Sequence, residues 1–194
     1  DFAITNNPYS GEKDIRSCGN GSIMRLAPIP MYYCKEPEEA LKYAALSSKI
    51  THAHSLCIDA CRYMAGIIVG LLNGESKETV LSPMYSPVDN YFNNEPLCDG
   101  MKEVASGSFK TKQPPEIKGT GFVVESLEAA LWAFYHTDNF RAGALKAVNL
   151  GDDADTTGAV YGQIASTIYD IPQEWVQVIT MREKIKEISN QLLS

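Results

Sequence analysis

The run Gly151-Asp152-Asp153-Ala154-Asp155-Thr156-Thr157-Gly158-Ala159 sets three carboxylates and two hydroxyls at the start of a stretch with helical spacing. Carboxylates this close repel one another unless a positive charge holds them. A hard divalent cation is the economical partner, because Mg2+, Mn2+ and Ca2+ prefer oxygen donors and every donor here is oxygen. Zinc is disfavoured. The plainer alternative is a helix start, with Asp155 or Thr156 as cap and the other acids on a solvated loop. A cap needs only one acceptor, so that alternative leaves most of the carboxylates without a task. A helix–loop–helix calcium site fails: Asp153, Asp155, Thr157 and Gly158 follow its first half, but its twelfth position is Ile164, where a bidentate glutamate is required.

Three further clusters have residue types suited to binding. Ser17-Cys18-Gly19-Asn20-Gly21-Ser22-Ile23-Met24-Arg25 reads as a glycine-rich turn whose amides can face phosphate oxygens, or as an ordinary tight turn. Gly119-Thr120-Gly121, just before a helical stretch, has the same two readings. Thr51-His52-Ala53-His54 opens an apolar helical pattern. There His54, Cys57 and Cys61 share a helix face, but three ligands on one helix without a complementary pair make a poor zinc site. A buried thiol also packs well as a small apolar group.

The elements that must position these clusters all read as helices. Pro37 followed by Glu38-Glu39 starts the first. From His54 to Leu72 apolar residues recur at three-to-four spacing, and Asn73-Gly74 supplies the stop. Residues 125–136, 139–148, 156–169 and 183–193 give four more helices, the last amphipathic. Residues 83–96 and 110–121 are rich in proline, asparagine and glycine and read as loops around a short helical piece. Small residues at Gly158, Ala159, Gly162 and Ala165 let another helix come close to the acidic end. No strand is evident, so the expected fold class is all-α, a compact multi-helix assembly in one domain over residues 1–194.

The formal net charge of -7 and scattered basic residues argue against nucleic-acid binding. Five cysteines without regular spacing point to a reducing compartment, and a cytoplasmic location is expected. The first residues lack the regions of a signal peptide. The apolar run Ala65–Leu72, broken by two glycines, is too short to cross a bilayer. No membrane partner is expected. The chain opens without methionine in a polar stretch, Asp1 to Pro8, and reads as part of a longer protein.

In order and spacing, GNGSIMRLAPIP, ITHAH, GTGFVVESLEAALWAFYHT and GDDADTTGAVYGQIA resemble the ADP-ribosylglycohydrolase family, which includes the dinitrogenase-reductase-activating glycohydrolases. The resemblance runs from about Ser17 to Tyr169, and its most specific piece is D-x-D-T followed by G-A-x-x-G. It implies an all-α orthogonal helix domain holding two Mg2+ or Mn2+ ions. It also implies hydrolysis of the bond joining ADP-ribose to a protein side chain or a related small conjugate. By the same resemblance Asp153, Asp155 and Thr156 are metal ligands, with Asp152 where the family often has glycine. His52 lines the ribose pocket, Asn20, Gly21 and Ser22 approach the ribose and diphosphate, and Gly121 and Phe122 meet the nucleoside end. The implied chemistry is metal-assisted glycoside cleavage, in which the cations fix the hydroxyls of the scissile ribose. This is unlike the two-carboxylate sugar hydrolases.

One departure is large: the family's N-terminal T-D-D motif, which supplies the other metal ligands and in many members the catalytic acid, is not found. Asp1 and Asp14 lie in the wrong context to replace it. The catalytic residue is therefore expected in an N-terminal segment that the sequence does not contain, and a separate N-terminal fragment is an expected partner beside the ADP-ribosylated substrate. The competing expectation is a non-catalytic relative that binds ADP-ribose or has a structural role. A plain helical interaction module is a third, which the acidic cluster disfavours.

Overall fold

The structure, a computed structural model, describes residues 2–192. Its centre is set by the apolar stretch after His54. There the His54 ring accepts a hydrogen bond from the Leu56 N–H through Nδ1 at 3.2 Å and so starts a helix at Ser55. That helix ends at Leu72, where the backbone N–H of Asn73 turns back onto the last carbonyls and Gly74 takes φ 88°.

In chain order the α-helices are α1 (Phe2–Thr5), α2 (Pro28–Tyr32), α3 (Pro37–Lys49), α4 (Ser55–Leu72), α5 (Lys77–Val80), α6 (Tyr91–Asn94), α7 (Asp99–Ala105), α8 (Val123–Tyr135), α9 (Phe140–Val148), α10 (Ala154–Ala165), α11 (Gln173–Gln177) and α12 (Arg182–Leu192). Short 3-10 turns cover Ile15–Ser17, Asn20–Arg25 and Ser108–Lys110. Among the described residues extended pairing is confined to two isolated bridges, Glu12 with His52 and Gly19 with Phe122. The fold is all-α, as the helical periodicity predicts.

α4 is long and apolar enough to cross a membrane by length and composition, but 83% of it is buried inside the protein, where it serves as the core helix. α3 packs along it, α8 lies against it, and α10 packs on α8 and α9. Tyr63, Met64, Ile67, Leu127, Phe134 and Tyr161 are among the side chains fully buried between these helices. Burial of this kind contributes roughly 1.5–3 kcal/mol for each large apolar side chain.

The core also contains an ion pair. Arg62 Nη2 lies 2.6 Å from Asp59 Oδ1, both side chains about one-tenth exposed. Asp59 Oδ2 accepts from the Cys98 N–H at 2.7 Å, and Arg62 donates to the carbonyls of Glu95 and Pro96. The pair thus pins the segment ahead of α7 onto α4.

Several boundaries differ from the sequence expectation. The first proline- and asparagine-rich stretch contains the one-turn α6, and α7 with the Ser108–Lys110 turn lies between the two loops, so there are more helical pieces than the single one expected. The helix expected over residues 156–169 runs from Ala154 to Ala165, with Ser166 as its C-cap. α12 matches its amphipathic pattern, yet none of its residues is buried, and Ile185 and Ile188 are 52% and 54% exposed.

Candidate functional site

Two backbone contacts build the site. The Asn20 N–H donates to the Gly121 carbonyl at 3.0 Å, and the Val123 N–H donates to the Cys18 carbonyl at 3.0 Å. These lay the Gly19–Ser22 segment against Gly119–Phe122, two glycine-containing stretches a hundred residues apart. Gly121 in turn lies beside the acidic run: a Cβ built on it would be 3.5 Å from Asp153 Oδ2. The Gly119 carbonyl accepts from the Asp153 N–H at 2.8 Å.

The glycine turn takes the form of a 3-10 helix over Asn20–Arg25. α10 determines this: Gln163 accepts from the Ala27 N–H at 2.7 Å and donates to the carbonyls of Ile23 and Met24 at 3.0 and 3.1 Å. One side chain thus satisfies the backbone groups that a short helix end leaves open. Nothing in the sequence marks Gln163 for this task.

Asn20 is 6% exposed. Its Nδ2 donates to Asp153 Oδ2 at 2.7 Å and to Ser126 Oγ at 3.2 Å. A carboxylate only accepts, so the Asp153 contact fixes the amide orientation and leaves Asn20 Oδ1 as a spare acceptor. Ser22 turns the other way. It is 1% exposed, its hydroxyl lacks a hydrogen-bond partner of ordinary length among the described residues, and the Cys61 thiol lies beside it. Its side chain therefore belongs to the core, and only its backbone faces the turn.

Asp153 is the N-cap residue of α10, yet its carboxylate makes no capping hydrogen bond. Asp155 is exposed in the first turn of that helix. Thr156 is 6% exposed, and its hydroxyl has no hydrogen-bond partner among the described residues. A cap therefore does not account for these oxygens. The neighbouring Thr157 hydroxyl is used inside the helix, donating to the Asp153 carbonyl at 3.0 Å. Asp152 has φ 54°, a left-handed turn that separates it from Asp153. It lines a cavity of about 740 Å3 with Lys118, Gly119, Thr120, Trp132 and Lys146.

On the opposite side of the turn stands His52. A Cβ on Gly21 would be 2.9 Å from its Cε1 and one on Gly19 3.6 Å from its Nε2, so the imidazole lies over the glycine turn. Its backbone is held by the Ser48 carbonyl, by the Ser48 hydroxyl and by the bridge to Glu12. Burial first, and then the charge of Arg25, hold the His52 imidazole below its ordinary pKa. Phe122, the N-cap residue of α8, is 36% exposed and flanks Gly121.

The sequence-expected Asn20, Gly21, His52, Gly121 and Asp153 thus meet in one place, with Phe122, Asp155 and Thr156 beside them on the same two segments. Ser126, Arg25 and Thr51 join them without having been assigned a role, although all three lie inside stretches the sequence drew attention to. The zinc alternative is set aside. The His54 ring caps α4, Cys57 Sγ faces the Gly19 carbonyl, and burial pushes the Cys57 and Cys61 thiols up to about 12 and about 11. Among the described residues no group of three or more His, Cys, Asp or Glu side chains converges as a metal site, and Asp14 is tied to Arg16 at the surface. All five cysteines are free.

Fold and site together define an all-helical protein whose oxygen donors gather at one helix start, beside a glycine turn and a histidine. The chain belongs to the ADP-ribosylglycohydrolase family, whose sequence profile matches residues 3–194. It is 33% identical over 187 residues to an ADP-ribosylarginine hydrolase of Serratia proteamaculans (strain 568), a match covering 95% of this chain and 49% of the relative. It is 27% identical over 195 residues to the ADP-ribosyl-dinitrogen reductase glycohydrolase of Rhodospirillum rubrum, covering 97% of this chain and 58% of that protein. A solved structure titled ADP-ribosylglycohydrolase-related protein complex superposes with a TM-score of 0.86 at 35% identity, over 99% of this chain and 65% of its own. The chain spans about half the length of the curated relatives it matches.

Proposed function

We propose that this chain carries the ADP-ribose pocket and part of the metal site of a metal-dependent ADP-ribosyl hydrolase, one that releases ADP-ribose from protein side chains or related conjugates. The observation that carries the reading is the 2.7 Å bond from Asn20 Nδ2 to Asp153 Oδ2, which ties the glycine turn under His52 to the acidic start of α10. Relatives that act on ADP-ribosylarginine and on ADP-ribosylated dinitrogen reductase support the substrate class.

The donor set fits a hard cation. Asp153, Asp155 and Thr156 offer only oxygen, and neither the Asp153 carboxylate nor the Thr156 hydroxyl is spent on capping α10. These residues would hold Mg2+ or Mn2+. Two carboxylates and a hydroxyl do not complete two coordination shells, so the remaining ligands and the catalytic acid are assigned to the part of the relatives that this chain does not match. When bound, the cations supply a fixed positive charge that orients ribose hydroxyls and stabilises the charge that builds as the glycosidic bond breaks.

The chain's own residues do the rest. Asn20 Oδ1 accepts from a ribose hydroxyl, since both Nδ2 hydrogens are already committed to Asp153 and Ser126. The closely packed Gly19 and Gly21 let the ligand and the His52 ring share the space above the turn. Phe122 presents an aromatic face to the nucleoside.

The test is calorimetric titration of ADP-ribose into the chain with Mg2+ and again with chelator, repeated on Asp155→Asn. Binding that needs Mg2+ and is lost in the variant is expected. Equal binding with and without chelator would remove the metal from the reading, and no binding under either condition would remove the pocket. A second reading, ADP-ribose binding without turnover, is favoured by the lack of any three-residue metal cluster among the described residues. Mg2+-dependent release of ADP-ribose from an ADP-ribosylated arginine peptide would exclude it.

A further inference from the structure

A chain of side chains runs from the end of the glycine turn to His52 Nδ1. Arg25, at the end of the 3-10 turn, donates through Nε to the Gly21 carbonyl at 3.3 Å and through Nη2 to the Ser47 carbonyl at 3.2 Å. The same Nη2 donates to Thr51 Oγ1 at 2.7 Å. Thr51 Oγ1 lies 2.8 Å from His52 Nδ1. A guanidinium has donors only, so the Arg25–Thr51 bond can run in one direction. With its oxygen accepting from a cation, the hydroxyl becomes a better donor, and the acceptor 2.8 Å away is His52 Nδ1. The tautomer of a neutral imidazole is decided by the bond its other nitrogen makes.

We propose that Arg25 and Thr51 are positioning residues: they form a one-way hydrogen-bond relay that keeps the His52 proton on Nε2, so that the ring presents an N–H donor to a ligand oxygen above the Gly19–Gly21 turn. The geometry on the ligand side agrees, because Nε2 and Cε1 are the ring atoms nearest the two glycines. The Ser48 carbonyl, the Ser48 hydroxyl and the bridge to Glu12 hold the backbone of His52, while the Thr51 hydroxyl is the group that meets its ring nitrogen. A donor at this point suits a pyrophosphate or ribose oxygen and penalises a ligand that brings its own N–H there. The identity of that ligand rests on the function proposed above; the tautomer does not.

The test reads both separately. Nitrogen-15 correlation spectra of the full chain at a pH of about 8, well above the ordinary histidine pKa, report which ring nitrogen carries the proton. Wild type is expected to show His52 protonated on Nε2 alone, Thr51→Ser to retain that pattern, and Thr51→Val and Arg25→Met to give mixed tautomers. An Nδ1-protonated or mixed His52 in wild type would overturn the proposal, as would an unchanged pattern in Thr51→Val. Thr51 and Arg25 are both exposed, so none of these substitutions disturbs the core. In titrations with ADP-ribose, Thr51→Val is expected to bind about tenfold more weakly, the loss of one well-made hydrogen bond, and Thr51→Ser to bind like wild type. A fixed Nε2 proton in a chain that does not bind ADP-ribose would uphold the relay and overturn its service to that ligand.

Discussion

At the scale of single residues, the site depends on two contacts that one atom can spoil. Gly21 lies under the His52 ring, and the Cβ of an alanine would be 2.9 Å from Cε1, closer than real Cβ contacts allow. Gly21→Ala is therefore expected to tilt the ring and reduce ADP-ribose affinity at least tenfold. The melting temperature should stay close to wild type, because the ring is only half-buried and can move outward. Calorimetry and a thermal melt on the same sample check this, and unchanged affinity would mean that His52 does not face the ligand. Asn20→Asp replaces the donor 2.7 Å from Asp153 Oδ2 with a second carboxylate. Without divalent cation this should cost about 1–3 kcal/mol, since a nearly buried hydrogen bond becomes a like-charge contact. The cost should shrink when Mg2+ is added, if the acids bind the ion. A melt with and without Mg2+ reads the difference. A variant as stable as wild type in chelator would show that the Asn20–Asp153 bond is not formed in solution.

At the scale of elements, α4 and α10 were legible to different degrees, for a physical reason. α4 shows five turns of three-to-four spacing, with a histidine at its start and Asn73-Gly74 at its end, so its existence and limits follow from local chemistry. α10 begins two residues earlier than its hydroxyls suggested, because Asp153 takes the N-cap position through its backbone while its carboxylate turns to Asn20. α1, α2, α5, α6 and α11 have four or five residues each, too short to display a period. The small residues of α10 act unequally: a Cβ on Gly158 would be 2.8 Å from Val148 Cγ1 of α9, whereas one on Gly162 would make an ordinary contact of 3.9 Å with Phe140. Of these two glycines Gly158 sets the close approach, and Gly143 of α9 does the same from the other side, where a Cβ would collide with the Tyr161 ring. The Asp59–Arg62 pair makes a further prediction at this scale. Asp59→Ala leaves a buried guanidinium without its counter-charge and frees the Cys98 N–H, so a loss of about 3–5 kcal/mol is expected. Urea unfolding measures it, and a loss below 1 kcal/mol would mean that the pair is hydrated in solution.

At the scale of the whole molecule, stability should fall in mild acid. Burial is the main cause that lowers both His52 and His136, helped by the charges of Arg25 and Lys146 respectively. A histidine whose pKa is lowered by folding binds its proton more readily in the unfolded chain. Its contribution is therefore complete above the ordinary value of about 6.5 and declines as pH falls through and below it. The expected outcome is a midpoint in urea that drops between about pH 7 and pH 5, with a shallower drop in the double variant His52→Gln/His136→Gln. An identical pH slope in the double variant would assign the acid sensitivity to other groups.

The sequence by itself determined the helical class, the central helix and the chemical character of the site, because all three are written in local patterns: periodicity, capping residues and clustered oxygen donors. It also pointed to the turn, the histidine and the acidic run as separate motifs. Tertiary structure alone decided that they form one site. Asn20 reaches Asp153 across 133 positions, and Gln163 supports the turn from α10 across about as many. It decided that Ser22 faces the core while Asn20 faces the site, although they are two residues apart, because a 3-10 turn sends those side chains to different sides. It turned Asp152 away from Asp153 through one left-handed residue. Such choices depend on which long-range contacts satisfy each buried polar group, and no local pattern carries that information.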